Sequence, residues 1–302
     1  MDLLSQVLSV LRLEGYVSGG FVVGRVHGFR FPAHEGIKCY AVAAGSCWLQ
    51  IHGDPSPVRL ATGDCVLLPR GVRFCLRTDP GHSTVDFPCI SPGHPAESKL
   101  DLKTDGCSII GGHFILAGGH SEMLLHSLPP VIHIPRDANN ISLTLSFERM
   151  IEELRDPQPG GFLIAQQAAH TMLIQALRVY LRSGAENGTG WLFALTDPQI
   201  SVSIRAMHHH PGRAWTLREL AMSVGMSRTV FAERFKKRVG ITAMHYLTRW
   251  RLIVAGDRLK TSNETVLAIA TSFGYKTESA FGRAFRRLWG CSPREHRSGA
   301  RS

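Results

Sequence analysis

A stretch near the C-terminus is written twice, and this repeat restricts the fold of the chain more than any other feature. Phe231, Phe235 and Gly240 recur as Phe281, Phe285 and Gly290, displaced by 50 residues. Upstream, Leu217, Leu220, Ala221, Val224 and Gly225 recur as Val266, Ile269, Ala270, Phe273 and Gly274, displaced by 49. The one-residue difference falls in the turn between the two segments. Each copy reads as a helix, a glycine turn and a second, basic helix. That arrangement is the one with which helix-turn-helix units lay a helix in the DNA major groove.

The charge distribution agrees. From residue 201 onward the chain carries 19 Lys and Arg against 6 Asp and Glu, a balance of +13. Residues 1–200 carry 15 against 18, or −3, giving +10 for all 302 residues. The positive field belongs to the last third alone, which points to a polyanionic partner for that part.

Local signals sharpen both copies. Thr216 and Glu219 form a capping box that opens the first helix of copy one. Gly225 makes the turn, and Ser227 caps a recognition helix from Arg228 to about Val239. In copy two Thr265 is the cap, Gly274 the turn, and Thr277 caps a helix to about Trp289. Phe231 and Phe235 stand four residues apart and face inward. Thr229, Ala232, Glu233 and Lys236 form another face, matched by Ser279, Gly282, Arg283 and Arg286. These are the candidate groove contacts, and Glu278 joins them. Arg283 suits the two acceptors of a guanine edge, Glu233 the cytosine amine, and Thr229 and Ala232 a thymine methyl. Arg228, Lys236, Lys237, Arg238, Arg286 and Arg287 suit phosphates, which fix register without reading sequence. Between the copies, Thr242 to about Leu259 forms one long helix with Tyr246, Leu247, Trp250, Ile253 and Val254 as its apolar stripe. At ~1.5 Å per residue it spans roughly 27 Å, a strut able to hold two recognition helices about one DNA turn apart.

The first two thirds read differently. Leu3, Leu4, Val7, Leu8 and Leu11 predict a short helix within 1–15. From Gly20 to about Ile134, short runs such as Tyr40–Val42, Cys47–Ile51, Cys65–Leu68 and Ile109–Leu116 alternate with Gly, Pro and Asp turns, predicting an all-β barrel or sandwich. Leu143, Phe147, Met150, Ile151 and Leu154 then mark one helix, and a second runs from about Phe162 to Leu181. A short linker covers 183–190. Asp197 and Pro198 open another helix as cap and first residue.

No apolar run approaches 18 residues, so no membrane span is expected. The start of the chain lacks the basic region and apolar core of a signal peptide, so the cytoplasm is the expected location. Seven cysteines stand at 39, 47, 65, 75, 89, 107 and 291, an odd count without any C-x-x-C pair, so neither a disulfide framework nor a zinc ribbon is indicated.

The segment from about Asp197 to Arg297 resembles the AraC/XylS family of transcriptional regulators. The matching residues are Trp215 through Ala221, Gly225 through Arg228, Phe231 and Phe235, Ile269 and Ala270, Phe273 through Tyr275, Phe281 and Phe285, and Gly290 through Arg294. Ile241, Thr242 and Ala243 stand where the family usually has a proline after the glycine, and His296 stands where tyrosine is common. The resemblance implies a sequence-specific activator or repressor that binds double-stranded DNA, contacts RNA polymerase and works as a homodimer.

Upstream, Phe31 through Tyr40, Gly45 through Trp48, Gly63 through Gly71 and Leu128 through Ile132 resemble the cupin-like sensor of one branch of that family. The expected fold class is therefore α+β multidomain. A cupin-like β-barrel covers 1–135, a helical dimerisation or linker region 136–190, and an all-α double helix-turn-helix domain 191–302. A metal-dependent cupin would place a histidine at position 74, where this chain has Phe74. His34, with His113, His120 and His126, is the remaining possible ligand set. His208, His209 and His210 read as a solvated helix end. For a redox sensor, Cys39 and Cys47 are one candidate pair on neighbouring strands, with Cys89 and Cys107 bracketing a loop. The leading expectation is a small organic effector in the barrel. The alternative is a metal-dependent cupin enzyme fused to a DNA reader. A repair protein with a zinc-held cysteine is disfavoured by the cysteine spacing.

Overall fold

The computed structural model describes residues 4–5, 13–87, 105–116, 125, 128–137, 139–156, 158–183 and 190–299. They fall into two compact units, one built on Leu13–Leu116 and Leu128–Ser183, the other on Gly184–Ser302 with two short segments.

Ten strands build the first unit: β1 (Leu13–Val23), β2 (His27–Phe31), β3 (Ile37–Ala44), β4 (Ser46–Ile51), β5 (Val58–Ala61), β6 (Cys65–Leu68), β7 (Phe74–Arg77), β8 (Ser83–Asp86), β9 (Cys107–Leu116) and β10 (Ile132–Ile134). They form two five-stranded sheets rather than one closed cylinder. Sheet one runs β1-β9-β3-β6-β10 and sheet two β5-β4-β7-β2-β8. Among the described residues, only β2 and β8 pair in parallel. The expected runs at Tyr40, Cys47, Cys65 and Ile109 all lie in strands. The helix expected over 1–15 gives way to strand from Leu13, where the backbone is claimed by the long ladder with β9. Its earlier part lies mostly outside the described residues.

Strand alternation decides what fills the space between the sheets. Phe21, Phe31, Tyr40, Leu49, Leu68, Phe74 and Ile109 point inward and are buried. Phe31 and Phe74 stack with centroids 4.4 Å apart, and Phe87 stacks on the other side of Phe31 at 4.4 Å. Burying each such ring contributes ~2–3 kcal/mol. The other face of sheet one is apolar too, with Cys39, Ala41, Cys65, Leu67 and Ile110 all buried. Helix α2 (Gly161–Ser183) packs across it and against α1 (Ile141–Arg155). The small residues Ala165, Ala168, Ala169 and Ala176 of α2 are buried and permit that close approach.

The second unit is helical: α3 (Trp191–Ala194), α4 (Pro198–His209), α5 (Leu217–Met222), α6 (Arg228–Val239), α7 (Ala243–Thr261), α8 (Val266–Ser272), α9 (Glu278–Trp289) and α10 (Pro293–Ser298). The strut α7 has 19 residues, so ~28 Å at ~1.5 Å per residue. It is buried on more than one side. Tyr246, Leu247 and Trp250 serve copy one; Leu252, Ala255 and Leu259 belong to the core cluster of copy two. Val254, expected in the stripe, is only partly buried. A helix shared by two cores is apolar nearly all round, which widens the single stripe read from sequence.

Candidate nucleic-acid interface

Each recognition helix is set by its ends. Thr216 Oγ1 accepts from the Glu219 amide at 3.1 Å, and the Glu219 carboxylate accepts from the Thr216 amide at 2.8 Å. The bond from the Thr216 backbone, then those from the Thr216 hydroxyl and Arg213, hold the Glu219 carboxyl below its ordinary range. Ser227 caps α6 through the Val230 amide, and Thr277 caps α9 through the Ala280 amide at 3.1 Å. The turns use Gly225 at φ 67° and Gly274 at φ 84°, left-handed conformations that glycine adopts without a Cβ penalty. The residue after each glycine closes the turn with the same bond: Met226 N to Ala221 O and Tyr275 N to Ala270 O, both 3.0 Å.

The two copies then repeat residue by residue. Phe231, Phe235, Phe281 and Phe285 are fully buried, and the ring pairs sit 5.6 and 5.4 Å apart. From Phe231 to Arg238 and from Phe281 to Leu288 the order of buried, half-buried and exposed residues is identical. The repeat extends further than the sequence suggested. Tyr246 lies against Phe235 at 5.8 Å, and His296, 50 residues on, lies against Phe285 at 5.4 Å. Burial lowers the His296 ring to about 4, so it stands in for the family tyrosine as a neutral aromatic.

On the outward side, Arg228, Thr229, Glu233, Lys236 and Lys237 are exposed and Ala232 half-buried. In copy two, Ser279, Arg283, Arg286 and Arg287 are exposed and Gly282 half-buried. A Cβ added at Gly282 would meet nothing within 4 Å, so this position leaves the α9 surface open. Glu278 is half-buried and pairs with Arg294 at 3.0 Å.

Two expectations need correction. Arg238 was expected on phosphates, yet its Nε lies 3.4 Å from the buried carboxylate of Asp197. Arg234 joins it, donating from Nε and NH2 to Asp197 at 2.9 and 3.1 Å and from NH1 to Gln199 at 2.9 Å. Burial raises the Asp197 carboxyl, but Arg234 and the Ile200 and Gln199 amides outweigh it and hold the group below its ordinary range. In sequence Asp197 reads only as a helix cap. The available signal was the four-residue spacing of Arg234 and Arg238, which sets both opposite the Thr229 and Glu233 face. Copy two has Ala284 and Leu288 there, packed in its apolar core.

The second correction is the histidine run. His209 and His210 are exposed, but His208 is buried, stacked 3.6 Å from Trp250 and hydrogen-bonded to the Tyr246 hydroxyl at 2.8 Å. Helical spacing turns it inward below Ile204, and burial lowers it to about 3.

In the sheet unit, two of the metal candidates, His34 and His113, fall among the described residues. Phe74 occupies the position where a cupin metal histidine would stand, and it is stacked in the core. The His34 and His113 rings lie 5.5 Å apart, with their Nε2 atoms on the Leu68 and Glu35 carbonyls. Burial lowers both, His34 to about 4. Among the described residues no three His, Cys, Asp or Glu are grouped to hold a metal. His120 and His126 lie outside them, as does Cys89.

The thiol pairing also differs. Cys39 neighbours Cys65, with Sγ atoms 3.8 Å apart, and Cys47 contacts Cys107. The expected Cys39–Cys47 pair is not formed, because Cys39 lies on the outer face of sheet one while Cys47 points into the core between the sheets. Burial and Cys65 push the Cys39 thiol up; Cys107 and burial do the same to Cys47.

Comparison with known proteins follows the same division. A family model described as Cupin matches residues 2–182, and one described as Helix-turn-helix domain matches 220–299. The chain is 35% identical to an AraC-like transcription regulator of Streptomyces lividans over 298 residues, covering 98% of each chain. It is 27% identical to the RCS-specific HTH-type transcriptional activator RclR of Escherichia coli, covering 100% of this chain and 99% of that one. Among solved structures, it is similar to the DNA-binding domain of AdpA in complex with a target DNA. That match has 30% identity and a TM-score of 0.32, and covers 34% of this chain and 93% of that one.

Proposed function

Because this chain belongs to the AraC-like transcription regulators, we propose that each subunit reads one non-palindromic duplex site with two unequal recognition helices, under the control of an effector bound by the sheet unit. It is a DNA-binding regulator rather than an enzyme, as its relatives are. One observation carries the proposal: α6 and α9 share their burial order but differ outward. Thr229, Ala232 and Glu233 stand in one, Ser279, Gly282 and Arg283 in the other. Identical frames with different exposed side chains suit two different base sequences.

In this account Arg283 reads guanine and Glu233 a cytosine, with Thr229 and Ala232 on thymine methyls. Ser279 and Gly282 allow close approach. Arg228, Lys236, Lys237, Arg286 and Arg287 hold phosphates, and Glu278 acts beside them through its pair with Arg294. Copy two is the stronger electrostatic anchor. The strut sets the copies about one DNA turn apart.

The functional division is 1–135 as sensor, 136–190 as the dimerisation and linker segment, and 191–302 as reader. Ile141 and Leu145, one turn apart on α1, and Leu163 on α2 are exposed apolar side chains that support homodimerisation through this segment. Action as an activator in the cytoplasm, through RNA polymerase, follows the family resemblance. Buried thiols of raised pKa favour a small ligand over cysteine oxidation as the signal, since the thiolate is the reacting form.

Selection of bound duplexes from a random pool by the full chain tests the proposal. A single asymmetric motif with two blocks about one helical turn apart is expected. Recovery of no motif, or of a palindrome within one subunit's footprint, overturns it.

A further inference from the structure

The outer face of sheet two carries a cationic cavity that DNA reading does not use. Leu49, Ile51, Phe74 and Leu76 turn into the core, so their neighbours in β4 and β7 face outward. The register aligns Gln50, Cys75 and Arg30 across β4, β7 and β2. Trp48 and Arg77 form the next row, with Gly28 and Thr84 beyond them. A Cβ on Gly28 would stand 2.5 Å from Arg77 Cγ, so glycine there lets the arginine lie along the sheet.

The cavity measures about 570 Å³ and is lined by Arg30, Arg73 and Arg77 together with Cys75 and Pro55. That volume falls in the range of ~300–1,000 Å³ typical of small-molecule sites. Arg30 is braced by Asp86 at 3.1 Å and by Thr84 Oγ1 at 3.1 Å. Arg77 donates NH1 to the Pro80 carbonyl at 2.9 Å, while its buried Nε has no hydrogen-bond partner. Arg73 is exposed at the rim. Asp54 is the carboxylate in the lining. Three arginines thus line one cavity in a part of the chain whose overall balance is negative. A guanidinium fork matches a carboxylate in plane and in donor spacing. Pro55 and the outward-facing Cys75 offer apolar surface beside it.

We propose that this cavity binds a small organic carboxylate with an apolar body, held by Arg73 and Arg77. Its regulatory meaning rests on the effector-controlled account above; the binding itself does not.

Calorimetric titration of the full chain with 2-naphthoate, without DNA, tests the site. The expected result is one saturable site per chain. Arg73→Gln/Arg77→Gln, or the exposed Arg73→Gln alone, weakens it at least tenfold, whereas Arg59→Gln and Arg283→Ala leave it unchanged. The neutral 2-naphthalenemethanol binds at least tenfold more weakly. Absence of saturable binding, equal affinity in the Arg73→Gln/Arg77→Gln chain, or equal affinity for the alcohol overturns the proposal. So does displacement by inorganic phosphate at equal concentration, which would mark a site for any oxyanion. Lost naphthoate binding with intact specific DNA binding refutes this site alone; the converse refutes the DNA account alone.

Discussion

Replacing Asp197 should destabilise the DNA-reading unit more than any surface charge change. Its carboxylate is almost fully buried, with 1% of the side chain exposed. It accepts from the Gln199 and Ile200 amides at 3.1 Å each while holding Arg234 and Arg238. Loss of the cap costs about 1 kcal/mol. Loss of charge-assisted bonds costs roughly 1.5–3 kcal/mol. The freed Arg234 and Arg238 side chains are 40% and 28% exposed and recover part of that from water. Asp197→Ala is therefore expected to cost about 2–3 kcal/mol, and Asp197→Asn, which keeps a capping oxygen, about 1–2 kcal/mol. Tryptophan emission under urea isolates the unit, because Trp191, Trp215, Trp250 and Trp289 belong to it and Trp48→Phe silences the other. The carboxyl is held below its unfolded value. Its contribution is full at neutral pH and is lost as pH falls below about 4 through the folded value. An Asp197→Ala loss under about 0.5 kcal/mol, the size of an ordinary surface change, would refute this reasoning.

Three further outcomes are expected. Phe231→Ala and Phe281→Ala each cost about 3–5 kcal/mol in the same urea assay, and a gap above ~2 kcal/mol between them would contradict equivalent packing. Arg283→Ala loses about 1–3 kcal/mol of discrimination at one position of the selected site, measured by competition with single-base variants; a uniform loss would make it a phosphate contact. With iodoacetamide and mass spectrometry on the folded chain, the half-buried Cys291 is labelled before Cys39, Cys47, Cys65 and Cys107. Early labelling of Cys47 would contradict its buried, protonated state.

The reader was legible because its determinants are local. Caps, turn glycines and the Phe231–Phe235 spacing each act within a few residues, and the 50-residue repeat checks one copy against the other. Strands were legible from alternation and turns. What sequence hid is non-local. Asp197 meets Arg234 37 residues later, on the helix face opposite Thr229 and Glu233. Cys39 finds Cys65 because β6 lies beside β3, whereas the nearer Cys47 points into the core between the sheets. Arg30, Arg73 and Arg77 converge only through the pairing of β2 with β7. The leucine spacing carried no sign that a helix must end before Leu13, where the long-range ladder with β9 makes the chain a strand.

The most direct test of the central claim is the affinity of the full chain for its selected duplex across a series of salt concentrations, with Lys237→Ala beside it. Log affinity should fall linearly with log salt, with a slope of ~0.9 per phosphate contact, and Lys237→Ala should reduce that slope by about one. Affinity independent of salt, or a slope unchanged in the variant alongside equal binding to random duplex, would contradict a basic two-helix reader of DNA.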